Sequence, residues 1–262
     1  RNIRKDALIM LAYQATPYEV FLAESPMALS SRGLVDLLRI QEERFGIYTP
    51  VSCNEFLAKL AEPGVDPVIP QVTVAYRDDR PLITLDGMAV FRQNRLVGSL
   101  NELESRGYRW LNSNKKMGGL LVLDNPLPGL NYVTLEVNRF SSYTRPRLEG
   151  NSLIMDIEVK ALLNLYDQGG LIDVQSVENI EELEILAARE IERQVRACIN
   201  KAQQLNGDIL GWGQKVYRYY PQVWTTLENS WYEIFPQVSA RVNVQTEIRK
   251  QGQLSMPLTL RR

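Results

Sequence analysis

The sequence predicts an α+β, multi-domain protein whose C-terminal part is a half-exposed antiparallel sheet packed by one long helix and shorter helices. Three observations lead there. Residues 133–137, 153–161 and 238–248 alternate apolar with polar side chains. A period of two over that length means strands with one buried face and one wet face. Between the second and third of them, over about 178–205, Ile180, Leu183, Ala187, Ile191, Val195, Cys198, Ala202 and Leu205 recur every three or four residues. That spacing puts one apolar stripe on a long helix. Buried parallel strands would be apolar on both faces, and none of these is.

Residues 1–80 read as the remainder of an N-terminal α/β domain. An apolar run over 7–13 opens it, and Glu19, Val20, Phe21 and Leu22 continue it. The Ser30-Ser31 pair is the expected cap of a helix carrying Leu34, Leu37, Leu38 and Phe45, which Gly46 stops. Ser52 caps a second helix, with Glu55 in the third capping-box position and Phe56, Leu57 and Leu60 on one face. Pro63-Gly64, Pro67 and Pro70 punctuate the next stretch into a linker. Residues 81–128 break into short pieces separated by Gly and Asn, the pattern of hairpins and tight turns, and form a small middle module. Residues 129–262 make the C-terminal α+β domain. There the long helix ends at Asn206-Gly207, and two shorter helical pieces come after it at about 214–219 and 222–235, the second closed by Pro236.

Composition removes whole classes of chemistry. The 262 residues include no histidine, which excludes Ser-His-Asp and Cys-His catalysis and any His-ligated metal. Two cysteines, Cys53 and Cys198, are too few for a disulfide framework or a four-thiolate site. Thirty Lys and Arg against thirty-one Asp and Glu give a net charge of −1, so nucleic acid is not an expected partner. No apolar run approaches the roughly 20 residues of a membrane-spanning helix. The chain opens at Arg1 without a signal pattern and reads as a piece of something longer. No cofactor or metal is expected.

Several stretches have a chemical reading beside a structural one. Gly211-Trp212-Gly213 with Lys215 has the look of a phosphate loop, but a helix rather than a strand precedes it, and punctuation between helices accounts for it. Trp212, Trp224, Trp231, Tyr232 and Phe235, with Glu228 and Glu233 among them, offer a carbohydrate platform with paired carboxylates. Trp224, Leu227, Trp231, Ile234 and Phe235 fall at helical spacing, as core packing would place them. Asp156 and Glu158 share an outward strand face with Lys160, readable as a cation site or as a solvated mixed-charge face.

Three segments together resemble the Ger(x)C family, the lipoprotein C subunits of bacterial spore germinant receptors. The first is DGMAVFRQNRLVG from Asp86 to Gly98, then Glu102, Glu104, Arg106, Gly107, Trp110 and Leu111. The second is Asp208, Gly211, Gly213, Pro221, Trp224, Trp231, Phe235 and Pro236; the third is the closing strand over 238–248 with Lys250-Gln251-Gly252. The resemblance implies a non-enzymatic subunit that works with the receptor's A and B subunits. It implies an N-terminal lipid anchor, upstream of this chain, on the outer face of the spore inner membrane. It also implies structural roles for Gly98, Gly107, Asp208, Gly211, Gly213, Pro221, Trp224, Trp231 and Phe235. Periodicity alone suggests that the outward faces of the three strands, with Glu136, Asp156, Glu158, Lys160, Arg241, Gln245 and Glu247, dock a partner. The competing reading is a cell-wall or carbohydrate-binding envelope protein using the segment from Trp212 to Phe235.

Overall fold

The computed structural model describes residues 6–24, 30–112, 118–150, 152–170 and 176–249, apart from the side chains of 30–32. The capping role expected of the Ser30-Ser31 pair and the closing residues 250–252 fall outside the described residues.

A two-residue strand, β1 (Leu11–Ala12), precedes α1 (Pro17–Leu22), α2 (Ser30–Ile40) and α3 (Cys53–Ala61). Helix α2 runs on into a π turn over Gln41–Phe45, closed by Gly46 in the left-handed conformation. Both halves of the expected capping box at Ser52 and Glu55 are present, so two of the free N–H groups at the start of α3 are satisfied. Strands β2 (Val68–Arg77), β3 (Arg80–Arg92) and β4 (Arg95–Leu100) come next and form a sheet of order β1-β2-β3-β4. β1 pairs in parallel and the rest antiparallel.

The linker expected around Pro67 and Pro70 is instead the entrance to β2, with every residue from Asp66 to Val72 buried. Pro67 precedes the strand, and Pro70 stands at a register shift before Val72, two places where a sheet tolerates proline. Helix α4 (Glu102–Leu111) then starts on a complete capping box from Asn101 and Glu104.

The second sheet holds β5 (Leu120–Asp124), β6 (Leu130–Glu149) and β7 (Ser152–Gly170). Helices α5 (Val177–Leu205), α6 (Trp212–Tyr219), α7 (Pro221–Leu227) and α8 (Trp231–Ile234) lead to its last strand, β8 (Ser239–Arg249), in the order β5-β6-β7-β8. Strand pairing does not respect the expected division of the chain. β2 pairs β3 across position 80, and β5 joins the sheet of the C-terminal strands across 128.

The antiparallel expectation holds for β5, β6 and β7 and fails at β8, which lies parallel to β7 from Ile154/Ser239 to Asn164/Arg249. The helices α5 to α8 are the long crossover that a parallel neighbour requires. β8 still alternates because it is an edge strand with one covered face, and a period of two reports that face rather than strand direction.

Helix α5 packs its stripe of Ile180, Leu183, Ala187, Ile191, Val195, Cys198 and Ala202 into one core shared with both sheets. Ser176 caps its N-terminus, and Asn206 in the left-handed conformation ends it. Among the described residues no helix is long and apolar enough to cross a membrane.

Candidate functional site

The seven residues expected on a docking face occur together on the outer side of the second sheet. Register places Asp156 beside Arg145 and Arg241, Glu158 beside Tyr143 and Asn243, and Lys160 beside Ser141 and Gln245. Leu162 stands beside Arg139 and Glu247, and Asn164 beside Glu136 and Arg249. Six of the seven are exposed, and Asp156 is half-buried.

One end of this face is cross-linked by charge. Arg241 holds Glu149 through two hydrogen bonds of 2.9 and 2.8 Å, and Arg147 reaches Glu149 at 3.4 Å and Asp156 at 3.0 Å. The bidentate contact pulls the Glu149 carboxyl below its usual range and raises the Arg241 guanidinium. Beside it the Tyr143 and Tyr219 hydroxyls meet at 2.6 Å, with the Arg145 guanidinium 5.7 Å from the Tyr219 ring. The other end opens into a depression of about 580 Å³ lined by Arg139, Ser141, Lys160, Gln245 and Glu247. Among the described residues Lys160 and Glu247 have no ion-pair partner, so their charges face outward unspent.

Most of the motif residues lie under the surface. The Asp208 carboxylate accepts the N–H groups of Trp212 at 3.0 Å and Gly213 at 2.8 Å, and the indole N–H of Trp231 at 3.0 Å. Burial pushes its pKa up to about 7, against the pull of those three donors. The Asp208 backbone N–H is in turn taken by Asp66 at 2.7 Å, which also accepts from the Gln93 N–H at 2.7 Å and the Tyr232 hydroxyl at 3.0 Å. Two linked carboxylates thus tie the α5–α6 turn to α8 and to the first sheet. Burial raises Asp66 as well, opposed by the donors from Gln93, Asp208 and Tyr232.

The remaining motif positions fit around this node. Gly211 takes the left-handed conformation, φ 64°, at the start of α6, and Gly213 packs against Gly64 and the Trp224 ring. Pro221 opens α7, where a missing N–H costs nothing. Gly98 pairs with Val90 in the first sheet, and Gly107 is where α4 touches the backbone of α5.

The carbohydrate platform is not formed. Trp224 and Trp231 are each 2% exposed and meet edge to face at 5.3 Å, while Trp212 packs on Phe235 at 5.6 Å. Helical spacing puts these rings into the core rather than on a surface. Glu228 borders a cavity of about 340 Å³ beside them, but Glu233 does not line it. Gly211-Trp212-Gly213 is likewise no phosphate loop, because its N–H groups are already spent on Asp208. Among the described residues no group of three or more Cys, Asp or Glu side chains gathers as a metal site.

Two contacts are not expected from the sequence. Asp66 sits between Gly64 and Pro67, a context that reads as solvated punctuation. Gln194 accepts the Trp110 indole N–H at 2.8 Å in the buried α4–α5 seam. Its position three residues after Ile191 and four before Cys198 places it on the apolar stripe, and a polar residue there is the signal that finds a buried hydrogen bond.

Comparison with known proteins agrees with the motifs. Residues 86–252 match the family described as spore germination B3/GerAC like, C-terminal. Spore germination protein KC of Bacillus subtilis is 22% identical, the match covering 98% of this chain and 67% of that protein. Spore germination protein YndF of the same organism is 21% identical over 173 residues, or 65% of this chain and 42% of that protein. GerQC of Bacillus cereus is 23% identical, with 53% of its length matched. The chain therefore spans between two fifths and two thirds of these relatives. The crystal structure of the GerBC protein superposes with a TM-score of 0.73 and 18% identity, covering 94% of this chain and 70% of that one, which shows a shared α+β fold. With more than half of its length inside the family match, the chain belongs to the B3/GerAC-like family of spore germination proteins, the Ger(x)C family whose motifs it carries.

Proposed function

We propose that the chain is part of a non-enzymatic C subunit of a nutrient germinant receptor, required for spore germination. In this reading it is held by an upstream lipid anchor on the outer face of the spore inner membrane and acts by contact with the A and B subunits. The observation that carries the reading is the outer face of β6, β7 and β8. It is a broad, mostly exposed, mixed-charge surface, with acidic, basic and polar side chains side by side along three strands. Charges arranged this way favour orientation and specificity of a protein contact. Family membership supports the germination role, and the buried tryptophans weigh against glycan binding.

The test is a pair of charge reversals, R241E and E247R, in the full-length protein expressed in its spore-former. Glu247 is exposed and has no ion-pair partner among the described residues, so E247R should leave the thermal midpoint unchanged; R241E gives up the bidentate contact with Glu149, so its assembly is read beside its own thermal midpoint. Co-purification with the A and B subunits should fall about tenfold, and nutrient-triggered germination should fall with it. Germination by a trigger that bypasses the receptors should not change. Undiminished assembly in both variants would reject this face as the docking surface.

A further inference from the structure

A cavity of about 360 Å³ lies between α3, α4 and the start of α6, away from the docking face, with which it shares no lining residue. That volume is at the lower end of the roughly 300–1,000 Å³ of small-molecule sites. Three charged residues line it, Glu55, Lys59 and Lys215. Glu55 is committed to the capping box, accepting the Ser52 N–H at 2.8 Å. Lys59 donates to the Tyr108 hydroxyl at 2.9 Å and lies 5.5 Å from that ring's centre. Neither lysine has an ion-pair partner among the described residues, and the Lys215 ammonium has no hydrogen bond there either.

Both lysines are half-buried, and burial, with repulsion from Arg218, lowers the Lys215 pKa. Glu55 and the buried Asp208 act on Lys59 from a distance, and its pKa stays raised against burial, whereas at Lys215 burial outweighs the pull of Asp208, so the ammonium there is the one left short of a partner. An unrelated observation falls on the same wall. Thr49 is 1% exposed, lines the cavity, and its hydroxyl has no partner among the described residues. A buried hydroxyl without a hydrogen bond calls for a polar neighbour that the protein itself does not supply.

The rest of the lining narrows the ligand class. Val51, Ala58, Val65, Leu111 and Ile209 add aliphatic surface to the lining. No arginine fork lines the cavity, and the first N–H groups of α6 are spent on Asp208 and on the Gly64 carbonyl. A phosphate would find lysine point charges but neither a bidentate guanidinium nor free helix N–H groups, while a carboxylate with an aliphatic tail would use the apolar lining as well. We propose that this cavity binds a small aliphatic carboxylate, its anionic end held by Lys215 and Lys59 and its polar contacts completed by Thr49.

The probes are valerate, its neutral counterpart valeramide, and inorganic phosphate, titrated into the full chain while the amide NMR signals of Thr49, Gly211 and Lys215 are followed. Valerate should shift them saturably with a Kd of about 1 mM or tighter, and valeramide should not. K215M should weaken valerate binding about tenfold or more at an unchanged thermal midpoint, since that side chain has no partner to lose. K59M should weaken it similarly, and T49V should weaken it severalfold. Absence of saturable binding, equal shifts with valeramide, or undiminished binding in K215M would overturn the proposal. Phosphate binding more tightly than valerate would overturn the carboxylate assignment.

Discussion

Replacing Asp208 with Ala is expected to lower folding stability by about 3–5 kcal/mol at pH 7, read as a shift of the denaturant midpoint at unchanged slope. The carboxylate is 1% exposed and accepts three buried N–H groups, from Trp212, Gly213 and the Trp231 indole. Ala leaves all three without a partner. Asn keeps one acceptor but turns an NH₂ toward a site made of donors, so D208N should fall between the wild type and D208A. The node also predicts a pH dependence. The folded Asp208 pKa is raised to about 7 from an ordinary value of 3.8, and Asp66 moves in the same direction. Between those values the folded chain keeps a proton that the unfolded chain has released. Stability therefore falls as pH rises from about 4 to about 7, by up to about 4 kcal/mol for Asp208 alone, and levels off above. Urea denaturation of the wild type and D208N across that range should give a flatter profile for the variant. Parallel profiles would show that the cost of burying this charge is met elsewhere.

The contrast between Asp208 and Glu247 indicates what a sequence can carry. Period-two alternation by itself assigns Glu136, Lys160, Gln245 and Glu247 to one outward face, because pleat geometry fixes side-chain direction locally. The α5 stripe and the capping box at Ser52 are equally local and legible. Strand direction at β8 is not, since a parallel partner is set by the long crossover through α5 to α8 rather than by its own pattern. The Asp66–Asp208 link joins residues 142 apart in the chain. Nothing near either residue announces the other, and Pro67 and Pro70 read as linker only while the strand start and the register shift beside them are unseen. The cavity is illegible for the same reason. Thr49, Lys59, Tyr108 and Lys215 come from four separate segments, and only packing makes them neighbours.

Substituting Gly107 with Ala is the second large effect, expected to cost about 3 kcal/mol through overpacking. A Cβ built there would stand 2.0 Å from the Gln194 carbonyl oxygen and 2.7 Å from the Cys198 Cβ. Both belong to α5, and one of the two is backbone, so no side-chain rotation relieves the clash and the helices must separate. Separation stretches the buried Trp110–Gln194 hydrogen bond and loosens the seam that seats α4. A control comes from Gly150, where a Cβ meets nothing within 4 Å but φ is +58°. G150A should cost only the conformational penalty of about 1 kcal/mol, so a loss at Gly107 well above it measures contact rather than backbone freedom. Tyr108, Leu111 and Asn112, on α4 or at its end, line the carboxylate cavity. G107A should therefore also weaken valerate binding in the folded protein, without touching the probe directly. Retained stability in G107A would mean that α4 and α5 stand further apart than their packing here requires. Retained stability with lost binding would instead place the strain in the cavity wall.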